Sequence, residues 1–233
     1  MDSPHNQQTD ERQETDGTQV GTDDQQREET TNQNNESGDG WSLFGRDILV
    51  SIVAVLLLGG FLFAISGVWP PMVAIESGSM ETNMNVNDLV FVMDPDRFQP
   101  AEAADVGPGD TGIVPANVGD DTGYTMFGES GDVIVFAPDG NEERTPIIHR
   151  AMFWVEEGEN WCEDDAVNSE YLGNADPDSE ECEVPHDGFI TKGDNNPTYD
   201  QIGNQISEPV KPAWVIGTAE IRIPGLGWLR LRT

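Results

Sequence analysis

Ile147-Ile-His-Arg-Ala-Met-Phe-Trp-Val155 is the stretch that decides how this chain folds. It follows Pro146, ends at the acidic pair Glu156-Glu157, and is rich in β-branched and aromatic side chains. Such a run suits a pleated, partly buried surface, and alternation along it aims His149 at one face of a strand. Four further runs share that character: Asp88-Leu-Val-Phe-Val-Met93, Asp132-Val-Ile-Val-Phe-Ala137, Gly188-Phe-Ile-Thr191 and Ala213 to Ile223. Each is short and bounded by Gly, Pro or Asp, so residues 71–233 are expected to form a mainly β domain. Two polar, glycine- and acid-rich insertions, about 94–130 and 156–187, read as surface loops hung on a small β core. No internal repeat and no convincing amphipathic helix is visible.

Ahead of this domain, Ile48 to Trp69 is 22 residues without a charge. As a helix it would be about 33 Å long, against a hydrocarbon core of about 30 Å. The apolar stretch exceeds the usual core of a cleaved signal, and a long acidic tail precedes it, so residues 47–70 read as an uncleaved transmembrane helix. Residues 1–46 hold almost no aliphatic side chains and are expected to be disordered. Arg46 lies on the N-terminal flank and Arg97 is the first cation beyond the other end. The positive-inside bias then places the tail in the cytoplasm and the β domain outside.

Lys and Arg total 11 against 44 Asp and Glu, a formal charge of −33. Nucleic-acid binding is excluded, because it needs clustered cations and the only lysines are Lys192 and Lys211. The acids read as a solvated surface adapted to very high salt, as in halophiles. Cys162 and Cys182 share the second insertion and read as a disulfide closing that loop outside the cell, or as two free thiols, rather than as chemistry. No metal-ligand spacing and no cofactor motif is present.

Serine hydrolysis needs a base, a group that orients the base, and oxyanion donors. Ile75-Glu-Ser-Gly-Ser-Met-Glu81 begins six residues after Trp69 and places Ser77 and Ser79 just beyond the anchor. Of the three histidines, His5 lies in the tail and His186 in an acidic, proline-flanked loop, which leaves His149. Taken alone, His149 reads better as a buried, satisfied core residue; its position on a rigid strand, a good platform for a catalytic base, changes that weighing. Lys192-Gly-Asp-Asn-Asn-Pro-Thr-Tyr-Asp200 is turn chemistry whose carboxylates, Asp194 and Asp200, could reach a histidine on a neighbouring strand.

These segments, in this order, resemble the type I signal peptidases in the form found in archaea and the endoplasmic reticulum. Ser77-Gly-Ser-Met-Glu81 looks like the nucleophile box, and Asp88-Leu-Val and Gly131-Asp-Val-Ile-Val-Phe136 are similar to the two Gly-Asp-containing strands of that family. Ile148-His-Arg150 matches the box where this branch carries His and bacterial members carry Lys. Gly193-Asp-Asn-Asn196 with Asp200 looks like the acidic box, and Ile223-Pro-Gly-Leu-Gly227 resembles the closing motif. Thr82 stands where the family usually has Pro, and Asn87 where it has Gly. The second membrane helix of some relatives is not expected; Leu226, Trp228 and Leu229 would instead rest at the membrane interface.

The resemblance implies a haloarchaeal enzyme with a small signal-peptidase-type β domain. Ser79 would be the nucleophile, His149 the general base, Asp200 the group that orients it, and Asp194 a support through the same turn. Ser77 hydroxyl and the Ser79 backbone N–H would be oxyanion donors, with Met80 a further oxyanion- or substrate-binding position. Secretory preproteins would be the substrates, and membrane lipid and the translocation machinery the surroundings. One alternative stays open, a noncatalytic anchored β domain binding partners through acidic loops; a Ser-Lys hydrolase using Lys192 is discounted, because Lys192 stands in the acidic box whereas the base box holds His149. Whichever holds, screening should relieve the repulsion among the acids. The melting temperature of the protein is expected to climb as salt rises from dilute to molar; a flat profile in a thermal scan would contradict the high-salt reading.

Overall fold

The computed structural model describes residues 39–104, 106–107, 110–203 and 205–229, with the side chains of residues 39–43 and 229 outside the description. Of the tail expected to be disordered, residues 1–38, and His5 with them, lie outside the described residues, whereas residues 39–46 are helical. Helix α1 (Asp39–Ser66) starts earlier and stops sooner than the apolar run suggests. Its segment Phe44–Ser66 is long and apolar enough to cross a membrane. Helical geometry ends where Gly67 adopts φ 79° while its N–H still donates to Phe63 O at 2.8 Å, a left-handed close that glycine takes without a Cβ clash. Ser66 Oγ donates to Val92 O at 2.7 Å and the Asp94 N–H to Ser66 O at 2.8 Å, so the helix end is stitched to a strand of the following domain.

That domain is built on one antiparallel sheet of six strands: β1 (Met72–Ala74), β2 (Leu89–Met93), β5 (Val133–Phe136), β6 (Ile147–Val155), β7 (Gly188–Lys192) and β8 (Val215–Ile223). Their order across the sheet is β1-β2-β8-β5-β6-β7. All five strand runs read from the sequence are strands here, with ends displaced by a residue or two. β1 is an addition: three residues after Pro70-Pro71 are too few to signal a strand by themselves, and pairing with β2 at Met72↔Phe91 and Val73↔Val90 makes them one. A separate hairpin joins β3 (Thr125–Met126) and β4 (Glu129–Ser130).

The two insertions are not merely surface loops. Residues 94–130 carry a short helix, α2 (Ala116–Thr122), and bury Val106 and Ile113 against Phe136, Ala151 and Phe189. Residues 156–187 bury Trp161 and Val184 with Phe153 and Tyr199, and Cys162 is disulfide-bonded to Cys182 inside that cluster. Acid- and glycine-rich composition concealed these apolar anchors. A third cluster gathers Ile75, Met80, Met84, Val90, Val133 and Ala219 beneath the loop after β1. With both sheet faces covered in this way, the four residues of β5 and the five of β7 are all buried.

Asp132, at the head of β5, ties the first insertion down. Its carboxylate accepts from Val114 N at 2.8 Å and from Tyr124 Oη at 2.8 Å. Burial pushes its pKa up to about 6, the hydrogen bonds offsetting part of that cost. Unfolded, the same carboxyl would titrate near about 4. Between those values the folded state holds the extra proton, so the stabilising contribution is full at low pH and is lost as pH rises through about 6. The substitution Asp132→Asn would mimic the protonated form at every pH. The melting-temperature difference, wild type minus Asp132→Asn, should therefore fall from pH 4 to pH 7, and parallel pH profiles would contradict the assignment.

Candidate active site

Ser79 lies in a single helical turn, Gly78–Met80, just beyond β1. The turn is anchored from below: Met80 and Met84 are fully buried, and the Met84 N–H donates to Met80 O at 2.8 Å. The Met80 side chain packs in the core, so an oxyanion or substrate contact by Met80 would come from its backbone. An unbranched thioether fits that irregular space, and the Asp194 N–H points at its sulfur from 3.4 Å. Ser77 is exposed and its Oγ lies 3.2 Å from Ser79 Oγ.

The turn at residues 193–196 grips the same segment from the other side. Asn195 donates from its backbone to Ser79 O at 2.8 Å and from Nδ2 to Gly78 O at 3.0 Å. Contact is close enough that a Cβ on Gly193 would meet Ser79 O at 2.7 Å. Glycine is required here for space.

Behind the turn sits a buried ion pair. Arg150 Nε and Nη2 donate to the two carboxylate oxygens of Asp194 at 2.9 and 2.8 Å. Arg150 Nη1 donates to Gly131 O at 2.7 Å and to Met126 O at 3.1 Å, and Asn83 Nδ2 donates to Asp194 Oδ2 at 2.9 Å. The Asp194 carboxylate is thus given to Arg150 and Asn83; what it contributes near Ser79 is the shape of the turn. Arg150 adjoins His149 in sequence, so opposite faces of β6 carry the two residues.

His149 is buried on β6 opposite Ile134 of β5. Its Nδ1 lies 2.6 Å from Asp200 Oδ2, which also accepts from Thr191 Oγ1 at 2.8 Å. With Asp200 ionised, the proton sits on Nδ1 and leaves the lone pair on Nε2. Thr191 is in turn held by Gln201, whose Oε1 accepts from the Thr191 N–H at 3.1 Å. Asp200 Oδ1 is buried with no hydrogen-bond partner among the described residues. Ser77, Ser79 and His149 all line one cleft of about 680 Å³, together with Val73, Val135, Ile147, Ile148 and Ile216. A serine hydroxyl and a carboxylate-oriented imidazole in one mostly apolar cleft can support nucleophilic chemistry.

Lys192 stands elsewhere. Its Nζ donates to Gly193 O at 2.9 Å, lies 4.3 Å from the centre of the Tyr171 ring, and lines a different cavity of about 440 Å³. Burial lowers its pKa. His186 is likewise remote from the cleft, its Nε2 lying 3.1 Å from Glu208. No group of metal-binding side chains occurs among the described residues.

Thr191, Gln201 and Tyr199 were not singled out from the sequence, because no local pattern marks them. Tyr199 is the least obvious of the three. Its ring meets Phe153, Trp161 and Tyr171 at centroid distances of 5.7, 5.5 and 5.6 Å, each edge-on, and its hydroxyl accepts from the Asn168 N–H at 3.0 Å. The disulfide-closed insertion therefore buttresses the residue next to Asp200. The chain matches no protein-family model and no curated protein.

Closing a loop with 20 residues of separation stabilises by about 3 kcal/mol in the chain-entropy model. Replacing Cys162 and Cys182 together by Ser should lower the melting temperature. It should also speed amide exchange at Tyr199, whose N–H donates to Tyr171 O at 3.1 Å. Unchanged exchange there would show that the insertion does not brace the site.

Proposed function

We propose that this chain is a membrane-anchored serine endopeptidase of the signal-peptidase type, which releases secreted preproteins from their signal peptides. The observation that carries this reading is the shared cleft: Ser79 and His149 line it, and Asp200 holds His149 Nδ1 from 2.6 Å. The order of motifs along the sequence points the same way. So does Asn87, which stands where the family has Gly and holds φ 71°, a left-handed backbone that Asn tolerates.

In this mechanism the Ser79 side chain turns from Ser77 toward His149, and Nε2 takes the hydroxyl proton as Oγ attacks the scissile carbonyl. The tetrahedral oxyanion is met by the Ser79 N–H and the Ser77 hydroxyl. His149 then gives its proton to the leaving amine, the carbonyl–nitrogen bond breaks, and an acyl-enzyme remains. Water, deprotonated by His149, attacks the ester, and Ser79 recovers its proton as the signal peptide departs.

Two places in the sheet support binding of an extended substrate. β1 is its end strand, next to β2, and β7 pairs with β6 from Arg150 onward, beyond Ile147 to His149. A preprotein lying between them would gain main-chain hydrogen bonds, and the apolar walls would select small side chains before the cut. The span Phe44–Ser66 would hold the enzyme at the surface to which the substrate is confined, raising its effective concentration. The domain would face outward, close to the translocation machinery. The position of Lys192 in another cavity favours His149 over Lys192 as the base.

The decisive test is cleavage of a labelled preprotein in high salt by membrane-embedded protein. Ser79→Ala and His149→Ala should abolish cleavage while leaving expression and membrane insertion intact. His149→Lys should not restore it, because the Asp200 carboxylate that faces this position would favour the protonated ammonium over the free amine a base must be. Asp200→Ala should cost on the order of 10³–10⁴-fold in kcat. Wild-type rates in Ser79→Ala would refute the serine mechanism, and loss in Lys192→Ala but not in His149→Ala would move the base to Lys192.

A further inference from the structure

A second cavity, of about 580 Å³, shares Asn196 and Ile206 with the cleft that holds Ser79 and His149. One wall comes from the second insertion, through Asn174, Ala175 and Glu181; another comes from Thr198, on the turn that leads to Asp200. Among the described residues, no lysine, arginine or histidine lines it. The cavity's insertion wall lies outside the segments that resemble a known family, whereas its opposite wall belongs to the acidic box. Its wall is braced by the disulfide and by the rings packed around Tyr199, and it is therefore preformed.

The two ends of the arrangement differ in their surroundings. At Trp69 and Pro70 the cleft adjoins the end of the apolar helix, whereas at Asn196 and Ile206 it adjoins the second cavity. A substrate whose N-terminal part is embedded in the bilayer reaches the cleft from the helix side. Its chain beyond the cut must then leave by another route, and the second cavity is next to the cleft, with Asn196 and Ile206 lining both.

We propose that this cavity is a leaving-side subsite, which binds the first residues of the mature protein, in extended form, before they are released. The inference rests on the endopeptidase reading of the same site. The ligand class is a polypeptide segment without acidic side chains: the Asn174, Asn196 and Thr198 side chains supply hydrogen-bonding groups, Ala175 leaves room for side chains, and Ile206 supplies an apolar contact. Glu181 and Asp200 both line the cavity and disfavour a carboxylate. Binding there adds affinity remote from the reacting bond, which orients the scissile carbonyl at Ser79.

The test uses two peptides with the same sequence before the cut, one ending at the first residue after it and one continuing for several more. With the full-length membrane-embedded protein, kcat/KM for the extended peptide should exceed that for the short one by about tenfold. Asn174→Trp, an exposed substitution that fills the cavity, should bring the ratio close to one. Thr198→Trp, checked for folding by its melting transition, gives a second obstruction from the opposite wall and should do the same. A ratio near one in the wild type overturns the subsite while leaving the endopeptidase reading intact. A high ratio that survives both substitutions places leaving-side binding elsewhere and overturns it equally. If the wild type cleaves neither peptide nor a preprotein, the endopeptidase reading itself fails and the subsite falls with it.

Discussion

The site depends on one buried ion pair. Arg150 and Asp194 lie almost wholly out of water, bonded through two parallel N–H···O contacts at 2.9 and 2.8 Å. Through Arg150 the pair reaches the carbonyls of the β3–β4 hairpin, and through Asp194 it sets the turn that grips Ser79. Breaking such a pair by removing one partner leaves an uncompensated buried charge, at a cost of about 3–5 kcal/mol. A chain with 44 acids and 11 Lys and Arg has few cations to spare. Two of them, Arg150 and Lys192, are nonetheless buried beside the turn that grips Ser79.

Two polar systems sit back to back on β6. On one face His149, Asp200, Thr191 and Gln201 form a relay of hydrogen bonds facing the apolar cleft. On the other, Arg150 and Asp194 hold the backbone. Neighbouring residues on a strand point in opposite directions, so a single His-Arg dipeptide can serve both. The arrangement keeps the orienting carboxylate, Asp200, separate from the structural one, Asp194. Each has its own charged or polar partner, and neither competes for His149.

The second insertion deepens this organisation. Its disulfide and its buried Trp161 create a small core of their own, and that core closes on Tyr199 rather than on the sheet alone. Tyr171 extends the contact to Lys192, whose ammonium packs over the ring while donating to the Gly193 carbonyl. A segment with thirteen carboxylates between residues 156 and 187 thus spends its few aromatic side chains where they stiffen the turn beside Ser79.

Much of this could be read from the chain directly. Period and composition alone mark the apolar helix and five strands, because β-branched runs between turn residues have few other ways to bury themselves. Ser79, His149, Asp194 and Asp200 were recognisable as chemistry-bearing residues, and Cys162 and Cys182 as a pair within one loop. What the sequence withheld is non-local. β1 exists only because β2 pairs with it, and the burial of the Met80 side chain depends on Val133 and Ala219, far along the chain. The aromatic anchors of both insertions are hidden among acids and glycines, where local composition favours a loop. Ser79 and His149 are 70 positions apart; only the strand order β1-β2-β8-β5-β6 folds them onto one cleft. Which of two carboxylates meets the histidine was likewise settled by tertiary structure, since residues 194 and 200 lie on one short turn and only packing decides that Arg150 takes the first and His149 the second.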